Sequence, residues 1–253
     1  MAEVCCGERT FQSIDAVLFD KDGTLAFVED YLKRLGLMRA SLIAQAAAEK
    51  GIDTPLMLEA AVLSALGLSK DRLDPSGLLA VGSRQSNEIA AADCLVDSGW
   101  SRMNAVEIVR SAFTEAAATL APKVPHTPPL PHVHSLLRQL HAADVAVGIV
   151  SSDLHSEVTA FINHYRLPNI KWHCGFSAKT LPKTHPEFLQ IVCKEMAVDA
   201  DRILVVGDSM TDYGLSKQGA AGFLGMVGGW SEVPMLLDGI TEISELHQIR
   251  VLD

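Results

Sequence analysis

Positive charge is what this sequence has least to spare. Its 253 residues carry 21 Lys and Arg against 31 Asp and Glu, a net charge of −10, and the pI is near 5.3. A chain with no cationic excess has nothing to displace counterions from a phosphate backbone, so a general nucleic-acid binder is excluded. If such a protein acts on phosphate, it must neutralise the charge locally, with a metal ion or a placed lysine. Cysteine is also scarce. The five are Cys5, Cys6, Cys94, Cys174 and Cys193. An odd number without CxxC spacing gives neither a disulfide frame nor a zinc site. Reduced thiols and a cytoplasmic location are the expectation. Cys5 and Cys6 are read as part of a frayed N-terminus rather than a redox pair. Long apolar runs are missing too. None approaches the ~20 residues that span a bilayer, and Glu3, Glu8 and Arg9 interrupt any signal-peptide core. No membrane partner is expected. There is no internal repeat and no low-complexity tract.

What is present is globular. Composition is 48% apolar and 21% charged, and the length suits one large domain or two smaller ones with a substantial core. Ala16-Val17-Leu18-Phe19 reads as a short buried strand. Asp20 falls where it ends, Asp22 follows two residues later, and Gly23 permits a sharp turn. Open α/β sheets bind ligands outside the carboxyl ends of their strands. Two carboxylates so spaced suit linked jobs: one attacks or holds a metal, the other moves a proton. An Asx-rich turn closing a strand is the plain structural alternative.

The pattern then turns helical. Tyr31, Leu35, Met38, Leu42 and Ala46 form one apolar stripe on a long helix that Gly51 ends. Thr54-Pro55 reads as an N-cap and first helical residue. That helix runs through Leu58, Val62 and Leu66 to Gly67. Asp74-Pro75-Ser76-Gly77 is a turn within a looser stretch, 68–84. Helices follow at about 85–97 and 101–121, the second with Met103, Val106, Phe113 and Leu120 on one face. No strand is evident from 27 to 121. Five prolines between Pro122 and Pro131 make a stiff connector that few contacts should cross; its His126 and His132 are expected to be idle.

Strands and helices alternate from there on. A helix at 132–142 leads to a strand, 145–150, that ends at Ser151-Ser152-Asp153. Then come a helix at 154–166, a strand at 170–174 and a helix through Met196 capped by Thr184-His185-Pro186-Glu187. A strand at 203–206 ends at Gly207-Asp208, a helix covers 212–220 and a last strand covers 223–227. Alternation of this kind implies a doubly wound parallel sheet. The fold expected is α/β, a Rossmann-like core of residues 1–26 and 122–253 with an all-helical domain, 27–121, inserted.

Four motifs carry a resemblance. Asp20-Lys-Asp-Gly-Thr24, Ser151 after its strand, Lys183 before its helix, and Gly207-Asp208-Ser-Met-Thr-Asp212 resemble, in order, motifs I to IV of the haloacid dehalogenase-like hydrolase superfamily. Read alone, Ser151 and Asp212 are helix caps and Lys183 is a surface charge. The resemblance implies a hydrolase of the phosphatase branch. Asp20 would be the nucleophile, forming an aspartyl-phosphate, and Asp22 the general acid and base. Ser151, Ser152 and Lys183 would hold the phosphate. Asp20, Asp22, Asp208 and Asp212 would serve a Mg²⁺ ion, Asp22 through its backbone carbonyl and Asp212 from behind the ligands. The dehalogenase branch lacks an acid at the place of Asp22. The insert would be a substrate-choosing cap. Lys179 is a rival for Lys183. Phosphonate hydrolysis would need a cap lysine as Schiff-base nucleophile; Lys33 and Lys50 are available, with solvated surface charge the plainer reading of both. The substrate implied is a small phosphorylated metabolite, phosphoglycolate- or sugar-phosphate-like, although Ala26-Phe27-Val28 departs from the commonest pattern after motif I. The protein would be a monomer or homodimer. A phosphotransferase or phosphomutase on the same core is the alternative enzyme, and a catalytically silent binding module is the alternative class.

Overall fold

The computed structural model describes residues 2–51, 55–70, 72–177 and 180–252. Two compact units make up the chain: Met1–Val28 with Thr127–Asp253, and Glu29–His126. The chain opens with a hairpin of β1 (Ala2–Cys6) and β2 (Arg9–Ile14), turned at Gly7 with φ 57°. The frayed start expected around Cys5 and Cys6 is therefore wrong. Val4 and Cys6 point inward and are buried, and a C-terminal strand completes the sheet on the other edge of β1. Burial, with Cys5 beside it, raises the Cys6 thiol pKa; both cysteines are free. β3 (Ala16–Phe19) comes next with all four side chains buried.

The unit Glu29–His126 holds α1 (Glu29–Glu49), α2 (Pro55–Ala65), β4 (Leu68–Ser69), β5 (Arg72–Leu73), α3 (Leu78–Val81), α4 (Arg84–Asp97) and α5 (Arg102–Thr119). Helices dominate, but β4 and β5 pair as a small antiparallel hairpin. Strands of two residues carry no periodicity, which is why no strand was expected here. The Asp74 turn forms as expected: Ser76 N–H donates to Asp74 Oδ1 at 2.8 Å and Gly77 N–H to the Asp74 carbonyl at 3.0 Å. Thr54 lies outside the described residues. The apolar faces match those expected only in part, at Tyr31 and Leu35 of α1 and Phe113 of α5. α1 buries Tyr31 and Leu35 of the expected stripe, but with them Leu32, Gly36, Ala40, Ile43, Ala44 and Ala47, while Met38, Leu42 and Ala46 are half-buried. α5 buries Ala105, Ile108, Val109, Ala112, Phe113 and Ala116 and leaves Met103 78% exposed. Small residues line these contacts, so a stripe drawn through the large side chains caught only part of the buried rows.

In the other unit the proline-rich return is tied down along the turn after β3. Phe27 N–H donates to the Pro128 carbonyl and Leu130 N–H to the Leu25 carbonyl, both at 2.8 Å, and Ala26 bridges Pro129. The expectation of few contacts here fails because proline carbonyls still accept hydrogen bonds. The chain continues with α6 (Val133–Ala142), β6 (Ala146–Leu154), α7 (His155–His164), β7 (Ile170–Phe176), α8 (Phe188–Met196), β8 (Ile203–Gly207), α9 (Met210–Ser216), β9 (Gly222–Met226), β10 (Thr241–Ile243) and β11 (Ile249–Leu252). β6 runs three residues past Ser151, with a register shift between its pairs Val150–Cys174 and Leu154–Phe176. α9 starts two residues before the expected helix and ends at Ser216, short of the expected 220. Neither β10 nor β11 was anticipated.

Six strands form one parallel sheet in the order β10-β9-β8-β3-β6-β7, the doubly wound Rossmann-like architecture. From β3 the chain goes out through β6 and β7, then returns to the other side of β3 with β8. That reversal is where such sheets bind ligands. β11, β1 and β2 make a separate antiparallel sheet. Among the described residues no helix is long and apolar enough to cross a membrane.

Candidate active site

Asp20 leaves β3 with its N–H still donating to the Val206 carbonyl at 2.9 Å, so its backbone remains in the ladder with β8. The chain then folds over itself. Lys21 carbonyl accepts the N–H groups of Leu25 and Ala26 at 2.9 and 2.8 Å, and Gly23 N–H donates to the Ala26 carbonyl. Gly23 has φ 78°, and a Cβ there would collide with the Trp230 indole and with Asp208 Oδ2. No other residue fits this turn.

β8 delivers Asp208, 5% exposed. Trp230 Nε1 donates to its Oδ2 at 2.6 Å and Thr24 Oγ1 to its Oδ1 at 3.3 Å. Asp212 sits in the first turn of α9 as part of a capping box: Ser209 N and Oγ donate to its Oδ2 at 3.3 and 2.6 Å. Its Oδ1 accepts Lys183 Nζ at 2.9 Å. Lys183, also buried, pairs with Asp20 as well. The main chain at Lys183 is held in turn by Gln218, whose Nε2 donates to the carbonyls of Lys183 and His185 at 3.3 and 3.0 Å while its Oε1 accepts Leu189 N–H at 2.9 Å. The box expected at Thr184–Glu187 is not what caps α8: Glu187, at the N-cap, makes no side-chain cap bond, and Gln218 reaches the helix instead.

Asp20, Asp208 and Asp212 thus converge, each offering an oxygen within 4.8 Å of the others, all buried. Lys183 is the ammonium among them. Burial raises the pKa of Asp20, to about 7, with Asp212 and Asp22 adding to the rise and Lys183 opposing it. Burial, then Asp20 and Asp212, raise Asp208 well above the carboxylate range against the Trp230 hydrogen bond. Burial alone would lower Lys183, but Asp20 and Asp212 outweigh it and the net shift is upward. Three carboxylates facing one ammonium in a buried space carry more negative charge than the protein balances. That donor set, hard and oxygen-rich, fits a divalent cation such as Mg²⁺. Both oxygens of Asp212 and both of Asp208 accept hydrogen bonds, whereas among the described residues Asp20 is paired through Oδ1.

Ser151 is buried within the last part of β6, next to β3 in the sheet, and its Oγ accepts Asp153 N–H at 3.1 Å. Ser152 is exposed. The Asp22 side chain is one-fifth exposed and is paired with Lys21. Lys179 lies outside the described residues. In the helical unit, Lys33 pairs with Glu29 at 2.6 Å and Lys50 faces the Trp100 ring at 5.8 Å. The reading of the sequence missed Trp230, Thr24, Ser209, Gln218 and the Lys21–Asp153 pair. Trp230 had a findable signal, since Gly228-Gly229-Trp230 follows the strand beside β8. Gln218 had none.

A family model described as haloacid dehalogenase-like hydrolase matches residues 14–218, and the chain belongs to that family of hydrolases. Similar solved structures include a haloacid dehalogenase-like hydrolase from Bacteroides fragilis, 19% identical over 93% of this chain and 99% of that one, with a TM-score of 0.61. A predicted phosphoglycolate phosphatase from Haemophilus somnus 129PT is 18% identical over 94% and 96%, with a TM-score of 0.62. A dehalogenase in an intermediate complex is 16% identical over 93% and 95%, with a TM-score of 0.53. No curated protein matches the chain. At these identities the likeness is one of fold. Because phosphatases and dehalogenases share it, the choice between them falls to the site.

Proposed function

We propose that this hydrolase is a Mg²⁺-dependent phosphatase that cleaves a small phosphate monoester, phosphoglycolate- or sugar-phosphate-like, through a phosphorylated Asp20. One observation carries the reading: a buried cluster of Asp20, Asp208 and Asp212 with a single lysine, with a second acid, Asp22, two residues past the nucleophile. A dehalogenase needs no cation site and no proton donor for a halide, whereas an alkoxide leaving from phosphorus needs both.

Asp20 and Asp208 would hold the ion with the main-chain carbonyl of Asp22, and Asp212 would support them through Lys183 and Ser209. When bound, the ion offsets the charge on the phosphoryl oxygens and on Asp20. A free oxygen of Asp20 attacks phosphorus, the bond to the ester oxygen breaks, and Asp22 gives that oxygen its proton. Asp22 then takes a proton from the water that attacks the phosphoryl group, which leaves as inorganic phosphate and regenerates Asp20. Lys183 and the Ser151 hydroxyl, with Ser152, bind the transferring group, where most of the rate enhancement arises. The helical unit enters directly after the catalytic turn, which supports its reading as the cap that chooses the substrate. A metabolite substrate, a cytoplasmic setting and a monomer or homodimer complete the reading.

The test is release of inorganic phosphate from a panel of small monoesters, with Mg²⁺ and with EDTA. Turnover that requires Mg²⁺ is expected, with Ca²⁺ a poor substitute because its coordination is larger and looser. Full activity in EDTA, or halide release from 2-haloacids in place of phosphate release, would overturn it.

A further inference from the structure

Lys21 is the residue between the two acids of the catalytic turn, and the mechanism above leaves it unused. Its side chain is 1% exposed, a rare state for lysine, and its ammonium pairs with Asp22 and, at 2.9 Å, with Asp153 Oδ2. It also lies 5.4 Å from the centroid of the Phe161 ring on α7, a cation–π distance. Asp22 and Asp153 are 21% and 23% exposed. The arrangement is a buried cation beneath two carboxylates that reach solvent. Asp153 is two residues past Ser151, at the bulged end of β6, and its N–H fixes the Ser151 hydroxyl. Lys21 therefore joins the turn after β3 to the end of β6.

We propose that Lys21, anchored on Asp153 and Phe161, is a positioning residue that fixes the Asp22 carboxyl for proton transfer to the leaving oxygen. The inference rests on the phosphatase reading. A fixed ammonium on Asp22 Oδ1 favours one rotamer of that side chain, and proton transfer needs hydrogen-bond reach in a defined direction. The Asp153 end keeps the ammonium from following Asp22.

The leaving group tests this. A nitrophenolate departs from phosphorus without a proton, whereas an alkoxide needs one. Lys21→Met keeps the buried stem and removes the charge. It should lower kcat on an alkyl phosphate by about 10²-fold, the lower range of a general acid's contribution, and on p-nitrophenyl phosphate by less than about tenfold, with KM little changed. Asp22→Asn should show the same bias, and Asp153→Asn a weaker form of it. Lys21→Met/Asp153→Leu replaces the pair by apolar groups and serves if the single variant does not fold. Equal losses on both esters, in folded variants, would overturn the proposal and leave Lys21 a structural residue. If the wild type hydrolyses neither ester, the phosphatase reading itself falls and this role with it. Wild-type turnover without a leaving-group bias in the Lys21 variants sinks the positioning role alone.

Discussion

The two units of the chain differ in how they arrange buried charge. In the sheet unit, charges are gathered. Asp20, Asp208, Asp212 and Lys183 meet at the strand ends, and Lys21 joins two further acids beside them. In the helical unit buried charges are dispersed: Glu29, 2% exposed, pairs with Lys33 at 2.6 Å, and Arg39 lies apart from that pair on an aromatic ring. Arg39, 9% exposed, has its guanidinium 4.1 Å from the Phe113 ring centroid and its Nε without a hydrogen-bond partner; burial first, then Arg84, lowers its pKa to about 10. Its buried Asn87 serves the backbone, donating to the carbonyls of Leu78 and Ser83 at 2.7 and 2.9 Å. The first pattern keeps its charges only if something binds to them. The second is consistent with structure and packing. The sheet unit should therefore hold the chemistry and the helical unit the choice of substrate.

The sharpest way to break that division is to replace residues 29–126 with a short linker. Hydrolysis of the preferred metabolite should fall by about 10²-fold, and that of an aryl phosphate by less than about tenfold, because binding energy remote from the reacting bond is what is lost. Equal losses would place chemistry, or core stability, in the helical unit.

Trp230→Phe keeps an aromatic side chain, though a smaller one, and removes the donor to Asp208. The Mg²⁺ concentration for half-maximal activity should rise by about tenfold, the usual size for a partner of a metal ligand. An unchanged requirement would remove Asp208 from the site.

Acidity sharpens the same contrast. The folded-state pKa of Asp20, about 7, stands above its ordinary 3.8, so the native state binds more protons than the unfolded one between those values. Without metal, stability should fall as pH rises through that window. Mg²⁺ must displace those protons, so its affinity should rise from pH 6 to pH 8. Melting temperatures of wild type and Asp20→Asn with and without EDTA check the sign; a metal-free protein stabilised by raising the pH through that range, relative to Asp20→Asn, would contradict it.

The smallest effect belongs to Asn87→Ala. It removes two side-chain hydrogen bonds to carbonyls that keep other donors, Gly82 N–H on Leu78 and Asn87 N–H with Ser86 Oγ on Ser83, and should cost about 0.5–1.5 kcal/mol of stability in denaturant unfolding. Turnover of an aryl phosphate should not change.

How much of this was legible follows from the same division. Asp20, Asp208 and Ser151 come directly after apolar runs of four to six residues whose ends can be read, so the parallel sheet and these three positions were within reach. Lys183 and Asp212 needed the resemblance, because a lone lysine and a helix-capping aspartate look ordinary. Trp230 and Gln218 act on residues 22 and 35 positions away in the chain, and no local pattern marks such bonds. The alanine-lined faces of α1 and α5 were placed only in part because periodicity weighs large side chains. β1 was lost to a general rule about termini that its pairing with β11 overrides.

The central claim is that Asp20 is the nucleophile. Acid quench of the enzyme during turnover of a monoester labelled in the phosphoryl group, followed by peptide mapping, tests it directly. The label should appear on the peptide bearing Asp20 in the wild type and be absent from Asp20→Asn, whose turnover should drop by at least 10³-fold, a barrier increase of about 4 kcal/mol. Label on another residue, or an Asp20→Asn variant within about tenfold of wild type, would contradict the account.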